Sequence, residues 1–156
     1  MIKYVNISDQ NMKDLLYLKD EQIKDCIQLL LYAYRETFSD PLEILKKNSL
    51  GAAHYRTLHL VERNEGINVN ELLIKLKITK QSLNRVLKDL IKLEIIFFSK
   101  DQNDTRVKHV FLNEKGKKIF KEIFEVQKKR IYKALLSSSS QEVLSFDEVL
   151  NRIING

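Results

Sequence analysis

Cysteine, proline and glycine are scarce in this sequence, which has one, one and four of them among 156 residues. The single cysteine, Cys26, excludes an intramolecular disulfide framework and agrees with a reducing compartment. The glycines lie too far apart in the sequence to form a dinucleotide-binding motif or a phosphate-binding loop. The Gly-x-Ser-x-Gly motif of a nucleophile elbow is also absent. We therefore expect a protein that is not an enzyme and that holds no cofactor.

Long apolar runs and targeting signals are absent as well. No run approaches the roughly 20 residues that cross a bilayer, and the first residues lack the charged-then-apolar pattern of a secretory signal. The apolar content of 44% and the charged content of 31% are typical of a soluble globular chain. We expect a cytoplasmic protein with no membrane partner, built as one domain or one domain with helical extensions.

The segment from Val69 to Leu112 has the pattern of a helix, a tight turn, a second helix and a basic two-stranded hairpin. On the second helix, apolar residues at i, i+4, i+7 and i+8 predict one buried stripe. These residues are Leu83, Leu87, Leu90 and Ile91. The opposite face offers hydrogen-bond donors for base edges and cations for phosphates. It consists of Gln81, Arg85, Lys88 and Lys92, with Ser82 and Asn84 on the flanks.

Charge is concentrated in the same segment. The formal net charge is +6 and the isoelectric point is near 9.3, which favours an anionic partner. From Lys75 to His109 there are nine Lys and Arg against four Asp and Glu. A solvated basic face, common in lysine-rich proteins, is the alternative interpretation. Because the charge falls on the helix and the hairpin that would face a duplex, double-stranded DNA is the favoured partner.

Capping and turn residues set the predicted boundaries of this unit. Asn68 and Glu71 form a capping box that opens its first helix, and Thr79 is the expected N-cap of the second. Residues 95–100 and 107–112 are rich in β-forming residues and flank a turn-forming cluster. They predict a hairpin, called the wing below.

Helical patterns cover the rest of the chain. We expect one helix from about Glu21 to Phe38 with an alternative start near Asn11, then a short turn over residues 42–47 and a helix over about 51–63. After the wing, Asn113 caps a helix that runs to about Leu136, and a second capping box at Ser139 opens the last helix.

The outer helices carry more apolar surface than a small winged domain can cover. We expect a second copy of the chain to bury this apolar surface, so the sequence predicts an obligate homodimer. The predicted organisation is N-terminal dimerisation helices in residues 1–50, a DNA-binding unit in 51–112, and C-terminal dimerisation helices in 113–156. The fold class is mainly α with a small β-wing, that is, a winged helix-turn-helix with added helices at both ends.

From about Cys26 to Lys121 these residues resemble the MarR family of winged helix-turn-helix regulators. Three pieces carry the resemblance: the turn and second helix in residues 75–90, the wing signature Asp104-Thr105-Arg106, and the junction Leu112-Asn113-Glu114-Lys115-Gly116. Two positions depart from the family pattern. Asn103 stands where the family has an arginine, and Glu94 stands where a glycine usually ends the recognition helix.

The resemblance implies roles for matching residues. Arg106 would enter the minor groove, where narrow A·T tracts concentrate negative potential, and Asp104 would orient it through a charge-assisted hydrogen bond. The recognition helix would face the major groove. The expected DNA-binding residues are Thr79, Lys80, Gln81, Ser82, Asn84, Arg85, Lys88, Asp104, Arg106 and Lys108.

The expected function is that of a sequence-specific dimeric regulator that binds a pseudo-palindromic operator with half-sites roughly 10 base pairs apart. Repression is the favoured direction, and activation is the alternative that the sequence leaves open. By resemblance, a small effector could bind between the dimer helices and the DNA unit and shift DNA affinity. Candidate effector residues are Tyr34, Arg35, His54, Tyr55, Arg56 and His59. Interhelical packing is the leading alternative for these side chains.

The sequence offers four further alternatives. Cys26 could be a redox-sensing thiol, although its neighbours form no clear electropositive site and a buried or interfacial cysteine is the commoner case. A metal site of Cys26, His54 and His59 is disfavoured, because histidines five residues apart diverge on a helix. The winged unit could also be a protein-interaction module without specific DNA binding, or an enzyme with a helical cofactor site.

Overall fold

The computed structural model describes residues 19–156. That part of the chain contains seven helices and one two-stranded antiparallel sheet, which confirms the mainly α fold with a small β-wing. The alternative helix start near Asn11 lies outside the described residues. In chain order the elements are α1 (Asp20–Ser39), α2 (Leu42–Lys47), α3 (Ala52–Arg63), α4 (Val69–Leu76), α5 (Lys80–Lys92), β1 (Ile96–Lys100), β2 (Lys108–Leu112), α6 (Glu114–Leu136) and α7 (Ser140–Asn155).

The described part of the chain divides into two compact units, residues 19–39 and residues 40–156. Helix α1 is the described helix of the first unit. The second unit contains α2 to α7 and the wing, and within it α2 contacts α6. The compact division therefore falls after Ser39, whereas the predicted first boundary lies at residue 50. The predicted assignment of the outer helices to dimerisation is a separate matter and stays a prediction.

The core of the second unit surrounds helix α3, which contacts α4, α5, α6 and β2. Each of these elements contributes at least one apolar side chain with no exposed surface. These side chains are Leu58 of α3, Leu72 of α4, Leu83 and Leu90 of α5, Val110 of β2 and Ile123 of α6. Complete burial of one such side chain stabilises a fold by about 1.5–3 kcal/mol. Helix α5 is thereby attached firmly through its apolar face.

Side-chain caps begin the helices at the predicted residues. The Asn68 side chain accepts the Glu71 amide at 2.9 Å, and the Glu71 carboxylate accepts the Asn68 amide at 3.1 Å. The side chains of Thr79, Asn113 and Ser139 likewise accept a backbone amide at the starts of α5, α6 and α7, and at Ser139 the Glu142 side chain completes a second capping box. Replacing such a cap by alanine costs about 1 kcal/mol, so these residues decide where each helix starts.

The buried stripe of α5 differs from the prediction at one position. Leu83, Leu87 and Leu90 are buried, but Ile91 is 40% exposed and Val86 is buried instead. At 100° per residue, Ile91 lies about 90° from the middle of the buried stripe, whereas Val86 lies within it. On α4 only Leu72 of the apolar residues is fully buried.

Helix α5 ends at a left-handed residue even though no glycine is present there. Glu94 has φ 55°, its amide donates to the Ile91 carbonyl, and the Ile95 amide donates to the Leu90 carbonyl at 2.9 Å. This is the helix exit that glycine usually provides. A residue with a Cβ loses about 1–2 kcal/mol in that conformation, so the departure from the family pattern changes the residue type and keeps the geometry.

The wing is attached to the loop before α4. Strands β1 and β2 pair from Ile96 opposite Leu112 to Lys100 opposite Lys108. On its other edge β2 forms a bridge between His109 and Asn68, and the Val110 amide donates to the Ile67 carbonyl at 2.9 Å. These backbone hydrogen bonds fix where the wing stands relative to α4.

Large apolar side chains on the outer helices are exposed within this chain. Helix α1 has no buried residue, α6 is buried only in its first half, and α7 has no buried residue. The exposed side chains include Ile23, Ile27, Leu31 and Tyr34 of α1, Phe124, Ile131 and Leu135 of α6, and Phe146, Val149 and Ile153 of α7. None of the described helices has the length and apolar character needed to cross a bilayer.

Candidate nucleic-acid interface

An open groove of about 720 Å³ separates the exposed face of α5 from the wing. Its two walls carry six of the ten predicted DNA-binding residues, namely Lys80, Asn84 and Lys88 of α5 and Asp104, Arg106 and Lys108 of the wing. Its floor is apolar and includes Leu87, Ile91, Phe98 and Val107. The exposure of Ile91 is explained by this groove, because the residue faces it.

Of the other four predicted residues, Thr79, Gln81 and Ser82 lie at the start of α5, and Arg85 lies near its middle. Gln81 and Arg85 are exposed outside the groove lining. Thr79 and Ser82 are exposed as well, but both take part in the cap: Thr79 Oγ1 accepts the Ser82 amide at 3.2 Å, and the two hydroxyls lie 2.9 Å apart. Those hydroxyls thus stabilise the start of α5. Contact with DNA stays a prediction for all ten residues.

Asp104 holds the guanidinium of Arg106 in a defined orientation. Arg106 Nε donates to Asp104 Oδ1 and Nη2 donates to Oδ2, each at 3.0 Å, and the Arg106 amide also donates to Oδ1 at 3.0 Å. The hydrogen bond from Arg106 lowers the pKa of Asp104, and the same bond raises the pKa of Arg106. The Arg106 side chain is 90% exposed, so the pair adds little stability and serves to aim a charge outward.

A second carboxylate organises the base of the wing. Asp101 Oδ1 accepts the amides of Asn103 and Asp104 at 2.8 and 3.0 Å, while Asp101 Oδ2 lies 3.1 Å from His109 Nε2. The other ring nitrogen of His109 lies 2.7 Å from the Gly66 carbonyl oxygen. Sequence reasoning missed Asp101 and His109. The only sequence signal was the predicted hairpin, because pairing of β1 with β2 places Asp101, which follows β1, near His109 of β2.

Local charge counts do not by themselves identify this interface. Helix α6 has eight Lys and Arg against three Asp and Glu, which is the same excess as residues 75–109. What distinguishes the α5 surface is its arrangement, because its cations and amides line both walls of one groove.

Two of the predicted effector residues have partners inside the fold. His54 Nδ1 accepts the Gly51 amide at 3.0 Å, and its Nε2 lies 3.3 Å from Asp89 Oδ2 on α5. The Tyr55 side chain is buried and its hydroxyl donates to Gln127 at 2.7 Å, and burial raises the pKa of Tyr55. These contacts agree with the packing alternative.

His59 lies elsewhere, on the wall of a cavity of about 300 Å³ between α3 and α6. Its ring is 5.9 Å from that of Phe120, and burial lowers the pKa of His59. The other lining residues are Glu62, Arg63, Lys117, Lys121 and Phe124. On α1, the ring of Tyr34 lies tilted against that of Phe38 with ring centroids 4.2 Å apart, and Arg35 pairs with Glu36. Within the second unit, only His59 among the predicted residues lines this cavity, while Arg56 is exposed.

Cys26 is exposed on α1. Across residues 19–156 no group of three or more His, Cys, Asp or Glu side chains is arranged to hold a metal ion. The thiol switch stays a prediction, since exposure alone does not make a cysteine reactive.

Comparisons with known proteins agree with this architecture. Residues 49–107 match the model of the MarR family. The chain is 37% identical over 141 residues to the HTH-type transcriptional regulator PetP of Rhodobacter capsulatus, covering 90% of this chain and 85% of that protein.

Two solved structures share the fold at low sequence identity. A Staphylococcus aureus MepR variant bound to an oligodeoxyribonucleotide is 18% identical with a TM-score of 0.58, covering 82% of this chain and 94% of that one. Staphylococcus aureus MarR in complex with salicylate and kanamycin is 20% identical with a TM-score of 0.67, covering 86% and 91%.

Proposed function

This chain belongs to the MarR family of transcriptional regulators, and from that premise we propose that it acts in the cytoplasm as a homodimer that binds a pseudo-palindromic operator and represses transcription. The observation that carries the proposal is the groove between α5 and the wing, with Lys80, Asn84 and Lys88 on one wall and Arg106 and Lys108 on the other. Basic and amide side chains in this arrangement suit phosphates and base edges.

In the proposed complex, α5 enters the major groove, which is wide enough for a helix. Arg85 and Asn84 read base edges, and Lys88 contacts a phosphate. The wing reaches the neighbouring minor groove, where Arg106 meets the strong negative potential of A·T-rich DNA. The related fold of a MepR variant bound to an oligodeoxyribonucleotide supports this mode.

The exposed apolar faces of the outer helices support a homodimer. Phe124, Ile131 and Leu135 follow one face of α6, and Phe146 and Ile153 follow one face of α7. A stable soluble monomer rarely leaves so much contiguous apolar surface in water. A second copy related by a two-fold axis would cover it and would also supply the second recognition helix that a palindromic operator requires.

The His59 cavity supports an effector site. It combines two aromatic rings, Phe120 and Phe124, with the cations Arg63, Lys117 and Lys121, a lining that suits an aromatic carboxylate. Staphylococcus aureus MarR has been solved with salicylate and kanamycin. Such a ligand would change DNA affinity only as far as it binds the free and DNA-bound states differently.

The test begins with selection of bound sequences from a random DNA pool at about physiological salt, where non-specific binding is weak. An enriched inverted repeat is expected. A folded dimer that enriches no sequence would contradict specific DNA binding and would favour the protein-interaction alternative.

Two substitutions then test the docking mode on the enriched sequence. Arg85→Ala should lose about 1–3 kcal/mol of discrimination at one base position, and Lys88→Ala should weaken all duplexes alike with a shallower salt dependence. Lys47→Ala is the matched control, because it removes one exposed charge outside the groove lining. If both α5 variants bind as the parent does, the docking mode is wrong.

A further inference from the structure

His109 joins the wing to the body of the DNA-binding unit through both of its ring nitrogens. Nδ1 lies 2.7 Å from the Gly66 carbonyl oxygen in the loop before α4. Nε2 lies 3.1 Å from Oδ2 of Asp101, the residue that follows β1. The side chain is only 28% exposed. Both distances are those of real hydrogen bonds.

Both partners of this ring can only accept a hydrogen bond. A peptide carbonyl has no proton to give, and Asp101 is ionised near neutral pH because the amides of Asp104 and Asn103 lower its pKa, with His109 adding to the effect. A neutral imidazole has one N–H and therefore satisfies one of the two partners, whereas an imidazolium satisfies both. The arrangement thus fits the protonated ring.

The same carboxylate shapes the loop that presents Arg106. Through Oδ1, Asp101 accepts the amides of Asn103 and Asp104, and Asp104 in turn holds the Arg106 guanidinium in two parallel hydrogen bonds. A continuous chain of hydrogen bonds therefore runs from Gly66 through His109, Asp101 and Asp104 to Arg106. Loss of the His109 contact would release the loop from the body of the unit.

We propose that His109 is a positioning residue for DNA binding, and that it holds the wing loop in its DNA-binding shape while both ring nitrogens carry a proton. The inference rests on the proposed function, because the wing matters only if it contacts DNA. Deprotonation breaks one of the two contacts, so the wing loses order and Arg106 is presented less well. DNA affinity then falls as the pH rises.

The pH window follows from the groups that act on the ring. The hydrogen bond to the Gly66 carbonyl raises the pKa of His109 above its ordinary value of 6.5, and the Asp101 contact and the charges of Asp101 and Glu71 raise it further. A raised pKa means that the ordered wing is fully favoured below about pH 6.5 and loses that support as the pH passes through the raised value. A difference of one pKa unit corresponds to a factor of about ten in the equilibrium.

The first test uses the free protein and needs no DNA. The imidazole nitrogen and carbon shifts of His109 are followed by NMR from pH 5 to pH 9, together with hydrogen exchange of the Asn103 and Asp104 amides. We expect the ring to stay doubly protonated above pH 6.5, and we expect the Asn103 and Asp104 amides to lose protection as the ring loses its second proton. A neutral His109 at pH 6 beside fully protected amides would overturn the proposal.

The second test measures binding to a labelled duplex of about 30 base pairs made of A-tracts, at constant ionic strength, between pH 6 and pH 8.5. The parent should weaken about threefold to tenfold. His109→Gln should bind more weakly at pH 6 and lose this slope. Lys47→Ala, a control at an exposed residue outside the groove lining, should keep it.

Asp101→Asn separates protonation from simple structural support. The Asn carbonyl can still accept the two loop amides, and its NH₂ group can donate to a neutral His109 that donates to Gly66. This variant should therefore bind the duplex with little dependence on pH. A parent-like slope in Asp101→Asn or His109→Gln would refute the proposal, and absence of duplex binding by the parent at every pH would instead count against the proposed function.

Discussion

Gly116, in the first turn of α6, is the position where a methyl group should do most harm. The residue is buried, its amide donates to the Asn113 side chain at 2.9 Å, and the Ile95 backbone passes directly over its Cα. A Cβ at this position would overlap the Ile95 carbonyl oxygen and would lie 3.2 Å from the carbonyl carbon and from Cγ2 of Ile95.

The expected effect of Gly116→Ala follows from three contributions. Inside a helix, alanine is favoured over glycine by about 1 kcal/mol. Relief of the overlap requires the Ile95 carbonyl to move by roughly 1 Å to reach an ordinary C···O separation, and overpacking of this kind costs about 1–3 kcal/mol or more. The same carbonyl accepts the Asn113 amide at 3.1 Å, a hydrogen bond whose loss costs about 1 kcal/mol. The net change is a destabilisation of about 1–3 kcal/mol.

Urea unfolding followed by far-ultraviolet circular dichroism measures this change, at one protein concentration because the proposed dimer makes stability concentration-dependent. With an m-value of about 2 kcal/mol per molar, the midpoint should fall by about 0.5–1.5 M. Gly51→Ala is the matched control, since a Cβ there meets only His54 Nδ1 at 3.8 Å, and it should cost no more than about 1 kcal/mol as a changed N-cap. A Gly116→Ala variant as stable as the parent would show that the close approach of Ile95 to α6 is wrong.

Three further outcomes are expected. Glu94→Gly should stabilise the protein by about 1 kcal/mol in the same unfolding assay, because φ 55° suits glycine, and a loss of stability would contradict the left-handed helix exit. Asp40→Asn should destabilise by at most about 1 kcal/mol at pH 7: the hydrogen bond from Arg130 lowers the pKa of Asp40, so the contribution exists above pH 3.8 and is lost as the pH falls. If the difference in unfolding free energy between Asp40→Asn and the parent does not shrink toward low pH, the Asp40–Arg130 pair does not stabilise the protein. Arg106→Ala should remove the preference for A-tract over G·C-rich duplexes in fluorescence anisotropy, and an unchanged preference would place the arginine outside the minor groove.

Much of the fold could be predicted because its signals are local. A capping residue acts within three positions, as Asn68 does with Glu71. Turn-forming residues between two β-rich runs predict a hairpin. The exposed polar face of α5 was predictable for the same reason, since helical spacing alone separates it from the buried stripe. Ile91 shows the limit, because a residue at the edge of a stripe is buried only if a neighbour covers it.

The candidate site was predictable only in part. The six groove residues stand on two elements whose types and order the sequence indicates, so their meeting follows from the fold of the family. The effector candidates were grouped by their nearness along the chain. Successive turns of a helix face different neighbours, however, and the structure directs His54 toward Asp89 and His59 toward Phe120.

By itself the sequence determined the helices, their caps, the wing and the basic outer face of α5, because these depend on interactions among residues a few positions apart. The tertiary structure alone decided which carbonyl meets His109, which glycine lies under Ile95 and which side of α5 faces a groove. Those partners are 43 positions apart for His109 and Gly66, and only the packing of α3, α5, α6 and the wing around one core brings them within hydrogen-bond distance.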